Sequence, residues 1–272
     1  MNKLRSLLLG GFIVLFFVNT VQAKERIDVQ GSTTVLPIMQ IITEEFMDEN
    51  PDIEVTISGG GSGVGIAALL DQIVPIAMSS REMKENEKQK GVVKGLNIQQ
   101  YAIALDAIAI IVYPENHFID RIQSETLKRI YTGFITNWRE LGGDDKPLVA
   151  ISRDTNSGTF EIFNEHILKG EEMAPEVLRL VSNRPILDEV SRNSNAIGYV
   201  GFGYLTRNIK ALILDGIEPT YENVRNGLYP LSRNLYLYTS QQPEGAVKRF
   251  IDFILSDKGQ NIIEEEGFIR VK

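Results

Sequence analysis

Three short turns carry the side chains in this chain that could do chemistry. They read Gly31-Ser32-Thr33-Thr34, Ser58-Gly59-Gly60-Gly61-Ser62-Gly63 and Ser152-Arg153-Asp154-Thr155-Asn156-Ser157-Gly158-Thr159. Each supplies hydroxyls and bare backbone N–H groups, and the third adds an arginine. Glycine lets a ligand approach the backbone closely. The first turn of a helix leaves donors unpaired and carries the positive end of the helix dipole. Several such ends aimed at one point would cage a small oxyanion. The first turn offers Ser32, Thr33 and Thr34, with the N–H groups of Thr34 and Val35. The second offers Ser62. The third offers Arg153, whose planar fork can clamp two oxygens, then Ser157, Gly158 and Thr159. Asp154 or Thr155 could hold that guanidinium in place.

Plainer roles fit the same residues. Ser and Thr are favoured helix N-caps, and a run of glycines also makes a flexible loop. The glycine turn matches neither the dinucleotide, the nucleotide nor the hydrolase signature. Ser80 and Arg81 follow the third strand, where ligands collect in open α/β sheets. Arg81 fits a site-facing and a solvent-facing placement. Asp106 interrupts an apolar stretch, as a paired buried carboxylate or as a turn residue at a crossing strand, and in either case its role is structural.

The elements that must position these turns follow from periodicity. Arg26–Gln30 alternates as a strand, and Val35–Asp48 shows helical spacing through Leu36, Ile38, Met39, Ile42 and Phe46. Pro37 suits a first helical turn, and Asn50-Pro51 stops the helix. Strands are expected at Ile53–Ile57, Pro75–Ser79, Ile98–Leu105, Ala107–Tyr113, Pro147–Ser152, Ile197–Gly201, Ala211–Leu214 and Leu235–Tyr238. Helices are expected at Val64–Asp71, Glu82–Gly91, Ser124–Tyr131, Thr159–Leu168 and Glu244–Leu255. Strands alternating with helices indicate an α/β fold with largely parallel sheets.

Composition narrows the function classes. The chain has 272 residues and 43% hydrophobic content, enough for a sizeable core in one or two domains. Its net charge of −8 argues against nucleic acid, which needs a basic face. It contains no cysteine, so disulfides and thiol chemistry are excluded. His117 and His166 lie far apart without metal-ligand spacing, so no metal and no cofactor are expected. Lys3 and Arg5 precede an apolar run from Leu7 to about Val18, and Val21-Gln22-Ala23 suits cleavage after Ala23. That run is shorter than the roughly 20 residues of a spanning helix. Residues 1–23 therefore read as a signal peptide. The lack of a cysteine at the cleavage site excludes a lipid anchor and points to the periplasm.

Taken together, these residues resemble the PstS family, the phosphate-binding proteins of bacterial ABC phosphate importers. The resemblance runs over nearly the whole mature chain. It is carried by Gly31 to Pro37, Gly59 to Gly63, Met78-Ser79-Ser80-Arg81-Glu82, Leu105 to Ala109, Asn137-Trp138, Arg153 to Thr159, Ile197-Gly198-Tyr199 and Tyr229-Pro230-Leu231-Ser232-Arg233. It implies a type II periplasmic-binding fold: two α/β lobes, a ligand cleft and a two-strand hinge. Lobe 1 would comprise residues 24–106 plus 224–272, and lobe 2 residues 107–223. It implies phosphate contacts from Thr33, Thr34, Val35, Ser62, Ser80, Arg153, Ser157, Gly158 and Thr159. The implied partners are inorganic phosphate and an inner-membrane ABC permease, for a monomer that is not an enzyme. Longer members of the family carry an aspartate where this chain has Ser80. That carboxylate accepts a hydrogen bond from protonated phosphate and repels sulfate. The rival ligands are sulfate, molybdate and tungstate. A secreted phosphatase and a phosphate-sensing receptor are the rival classes.

Overall fold

The computed structural model describes residues 24–271. The expected signal peptide and its cleavage point lie outside the described residues. The first half begins with β1 (Glu25–Gly31), α1 (Leu36–Glu49), β2 (Ile53–Ser58), α2 (Ser62–Leu70), β3 (Ile76–Ser79) and α3 (Glu85–Val93), followed by the long β4 (Gln99–Val112). The chain continues through β5 (Arg121–Ile122), α4 (Ser124–Tyr131), β6 (Val149–Arg153), α5 (Gly158–Phe163), β7 (Leu178–Leu180), α6 (Asn183–Val190) and β8 (Ala196–Gly201). It closes with β9 (Lys210–Ala211), β10 (Ile213–Leu214), α7 (Tyr221–Arg225), β11 (Ser232–Thr239), α8 (Gly245–Leu255) and α9 (Asp257–Glu265).

Strand order in the main sheet is β2-β1-β3-β11-β4-β8-β6-β7, with β9 beside β4. β1 runs parallel to β2 and β3, and β6 runs parallel to β7 and β8. β4 and β11 are antiparallel to their neighbours. β4 changes partners along its length: Gln99 to Ala107 pair with β11, and Ile108 to Val112 pair with β8. The sheet thus bends into two halves, each with its own core. One core gathers Ile27, Ile38, Phe46, Ile53, Leu237 and Phe250. The other gathers Ile110, Leu127, Trp138, Phe163, Ile197 and Tyr199. Each such side chain contributes about 1.5–3 kcal/mol by leaving water. This is the expected two-lobed α/β architecture, with β4 and β11 crossing between the lobes.

Local signals explain most boundaries. Pro37 sits in the first turn of α1, and the Asn50 side chain donates to the Phe46 carbonyl (2.9 Å) to close its C-terminus. Some features differ from the expectations. β4 is one strand across Asp106, because that carboxylate is neutralised by Arg233 rather than turned out to solvent. The helix after Thr159 stops being α at Phe163 and widens into a π turn over Asn164–Leu168. Residues 224–231 pack with lobe 2: Val224, Tyr229 and Leu231 are part of its core. β11 itself starts at Ser232.

Candidate functional site

The turns meet because the parallel strands end on the same side. β1 ends at Gly31, β3 at Ser79 and β6 at Arg153, and the helices that follow open toward the gap between the lobes. Ser32 is anchored by its own N–H, which donates to the Met78 carbonyl (2.9 Å). Its hydroxyl accepts from the Thr34 N–H (3.2 Å). Val35, fully buried, precedes α1. Thr33 is buried, and its hydroxyl has no protein partner.

Thr34 and Thr159 join the lobes. Their hydroxyl oxygens are 3.1 Å apart. Asn183, at the start of α6, donates its side-chain N–H to the Thr34 hydroxyl (3.0 Å). On the other side of the glycine turn, Gly61 holds φ at +98° and its Cα faces the Asn156 carbonyl, which a Cβ would meet at 2.5 Å. A side chain there would be strained and would also block the approach of the lobes. The Gly63 N–H donates to that Asn156 carbonyl (3.0 Å). Ser62 and Ser80 form a second pair: the Ser80 N–H donates to the Ser62 hydroxyl (3.0 Å), and the two hydroxyls lie 3.3 Å apart.

Gly158 links the clusters. A Cβ at Gly158 would lie 2.5 Å from the Ser62 hydroxyl and 2.7 Å from that of Ser80. Ser157 caps α5 by accepting from the Thr159 and Phe160 N–H groups (3.2 and 3.3 Å). Thus Thr34, Ser62, Ser80, Ser157, Gly158 and Thr159 come together from both lobes. Tyr204 adds a tie across the gap, donating its hydroxyl to the Thr33 carbonyl (2.7 Å).

The arginines divide. Arg153 is buried at the end of β6. Its Nε donates to the Leu180 carbonyl (3.2 Å) and its Nη2 to that of Val181 (2.9 Å), with Asp154 at 3.9 Å. Burial pulls its pKa down, and the nearby charge of Arg233 pulls the same way, against Asp154 and Tyr199. Arg81 does not join the hydroxyl cluster. Its guanidinium donates twice to Glu87 (both 2.8 Å) and pairs with Glu161 of the opposite lobe. Two half-buried carboxylates take up that charge.

Sequence reasoning left out Arg233, Asn183 and Tyr204. Arg233 donates Nε and Nη2 to one oxygen of Asp106 (3.0 and 2.7 Å) and Nη1 to the Thr159 hydroxyl (3.1 Å). The other Asp106 oxygen accepts the Phe202 N–H (2.9 Å). The available signal was Asp106 itself: a carboxylate inside an apolar strand needs a buried cation beside it. Among the described residues, no cluster of His, Cys, Asp or Glu is suited to a metal ion, and no helix is long and apolar enough to cross a membrane.

The model of the PBP superfamily domain matches residues 19–258. The phosphate-binding protein PstS of Bacillus subtilis is 33% identical over 92% of this chain and 82% of its own length. PstS of Borreliella burgdorferi is also 33% identical, over 92% of both chains. The solved structure of a Clostridium perfringens protein, described as a phosphate ABC transporter substrate-binding protein with bound phosphate, superposes with a TM-score of 0.85. It is 38% identical, over 91% of this chain and all of that one. A cage of hydroxyls at the ends of parallel strands between two lobes, and likeness of this extent, lead to one conclusion: the chain belongs to the PBP superfamily and, within it, to the PstS family.

Proposed function

We infer that the chain captures inorganic phosphate between its lobes and hands it to an inner-membrane ABC permease. The observation that carries this is the meeting of buried hydroxyls from both lobes beside two buried arginines, Arg153 and Arg233. Hydroxyls, N–H groups and a guanidinium replace the water around an oxyanion. A closed, water-poor cleft strengthens those bonds. Release then requires the lobes to part about β4 and β11. The ligand contacts we assign are Ser32, Thr33, Thr34, Val35, Ser62, Ser80, Ser157, Gly158 and Thr159, with an arginine completing the charge.

No covalent step is part of this reading. The Ser62 and Ser80 hydroxyls lie against one another, as do those of Thr34 and Thr159. The protein works outside the inner membrane, which the PstS relatives and the leader-like N-terminus support.

The test is twofold. Equilibrium dialysis with labelled phosphate should give one bound anion per chain, and a deletion strain should lose high-affinity phosphate uptake. Normal uptake in that strain would turn the reading to a receptor that binds phosphate only to signal. Turnover of a chromogenic phosphate ester would turn it to an enzyme.

A further inference from the structure

One bond across the cleft comes from a side chain outside the cage. Tyr204 lies in the short helical turn Phe202–Tyr204 that follows β8, and its hydroxyl donates to the Thr33 carbonyl (2.7 Å). Burial pushes its pKa up to about 12, so it keeps its proton near pH 7. The turn that carries Tyr204 is itself held. The Phe202 N–H donates to Asp106 (2.9 Å). Gly203 lies so close to the Phe268 ring that a Cβ there would run into it. Phe268 belongs to residues 268–271, the segment after α9, which touches both halves of the molecule. Phe268 is buried in one core and its neighbour Ile269 in the other. Leu105 of β4 and Ile269 exchange backbone hydrogen bonds (2.7 and 3.1 Å). The buried Gln260 of α9 accepts from the Val271 N–H (3.0 Å) and donates to the Ile103 carbonyl of β4 (3.1 Å), which pins the segment's far end.

We propose that Tyr204 is the clasp that holds the cleft shut, and that residues 268–271 are a third inter-lobe connection whose Phe268 positions that clasp. This rests on the phosphate-binding reading above and names what keeps the anion in. Thr33 stands in the first hydroxyl turn, in the opposite half from Tyr204, so their bond exists only while the lobes meet. When the lobes part, water reaches both groups and neither is left unsatisfied. The bond therefore acts on how long phosphate stays, not on how fast it arrives. Phe268 supplies the fixed side of the device. Its ring is seated in the core of the first half, and the Leu105–Ile269 bonds fasten it to β4 just before Asp106. The missing side chain at Gly203 lets the turn rest on that ring. With the turn so seated and Phe202 held by Asp106, the next side chain along, Tyr204, is aimed at Thr33.

Rates separate this role from a merely structural one. Tyr204→Phe removes only the hydroxyl. Release of labelled phosphate in a rapid chase should speed up about 2- to 12-fold, the worth of one neutral hydrogen bond. The association rate and the urea midpoint without phosphate should stay those of the unaltered chain. Unchanged release overturns the clasp, and so does a lowered midpoint with unchanged release. Phe268→Leu keeps the core apolar but draws the side chain away from Gly203, and it should also speed release. Combined with Tyr204→Phe it should add less than its own effect, because it acts through Tyr204. Full additivity overturns the positioning role. Gly203→Ala tests the same seat from the other side without removing core volume. It should speed release too, and unchanged release in that variant overturns the seat even if Phe268→Leu does not fold. Failure of the unaltered chain to bind phosphate overturns the functional reading and this proposal with it. Tight binding by the unaltered chain with unchanged release from Tyr204→Phe overturns the clasp alone.

Discussion

Gly158 is the residue on which the meeting of the two lobes depends most directly. Its Cα lies so near Ser62 and Ser80 that a methyl group would sit 2.5 and 2.7 Å from their hydroxyl oxygens. Those hydroxyls are held by a backbone N–H and by each other, so they cannot simply rotate away. Gly158→Ala should therefore hold the cleft partly open. Overpacking of this kind costs about 1–3 kcal/mol, which appears as roughly a 5- to 150-fold loss of phosphate affinity in calorimetry. Unchanged affinity would mean that the lobes do not close this far around the ligand. The hydroxyl turns were legible in the sequence because hydroxyls, glycines and strand ends coincide there. The site's second arginine was not. Arg233 closes the Tyr229-Pro230-Leu231-Ser232-Arg233 stretch of the family resemblance, but its role comes from a partner on another strand, Asp106. Arg81 follows β3, and its charge is taken by Glu87, six residues on, and by Glu161, distant in sequence.

At the scale of elements, periodicity located α1, α4, α8 and the strands β1, β2, β3, β6 and β8 to within a few residues. It failed where local pattern is weak. α9 carries few apolar residues beyond Ile262 and Ile263, and Gly259 lies within it, so its helical face is hard to see. β7 and β5 are too short for alternation to register. β4 was read as two strands because a charge inside an apolar run looks like a break until its partner is known. α9 offers a clean separation of stability from binding. Ser256 caps it by accepting the Gly259 N–H (3.2 Å). Ser256→Ala should lower unfolding stability by about 1 kcal/mol in urea titration and leave phosphate affinity unchanged. A loss of affinity with unchanged stability would tie α9 to the site instead.

At the scale of the whole molecule, the lobes are joined at the mouth of the cleft by a charged network. Arg81 and Lys84 of one lobe face Glu161 of the other, and Glu87 holds Arg81 from behind. Burial raises the Glu161 carboxyl, against the pull of Arg81 and Lys84. For Glu87, burial also pushes upward, but the hydrogen bonds from Arg81 and from the Lys84 N–H outweigh it. Its pKa falls below the ordinary glutamate value of 4.5. A carboxyl lowered by folding contributes stability above its unfolded pKa, and that contribution is lost as pH falls through the folded value. Glu87→Gln should therefore cost stability at pH near 7, and the difference from the unaltered chain should shrink as pH falls below the ordinary glutamate value of 4.5 and vanish below the lowered folded value. Denaturant midpoints across that range measure it. A difference that persists in acid would show that packing, not charge, carries the Glu87 contribution.

The central claim is that hydroxyls and one or more arginines from two lobes enclose a single oxyanion. Its most direct test is calorimetric titration of residues 24–272, unfolded and refolded to strip carried-over ligand, with phosphate and then with sulfate. The account predicts one phosphate per chain, bound tightly. Equal binding of sulfate would widen the ligand to oxyanions in general. Binding of neither anion by a chain that has demonstrably refolded would contradict the account.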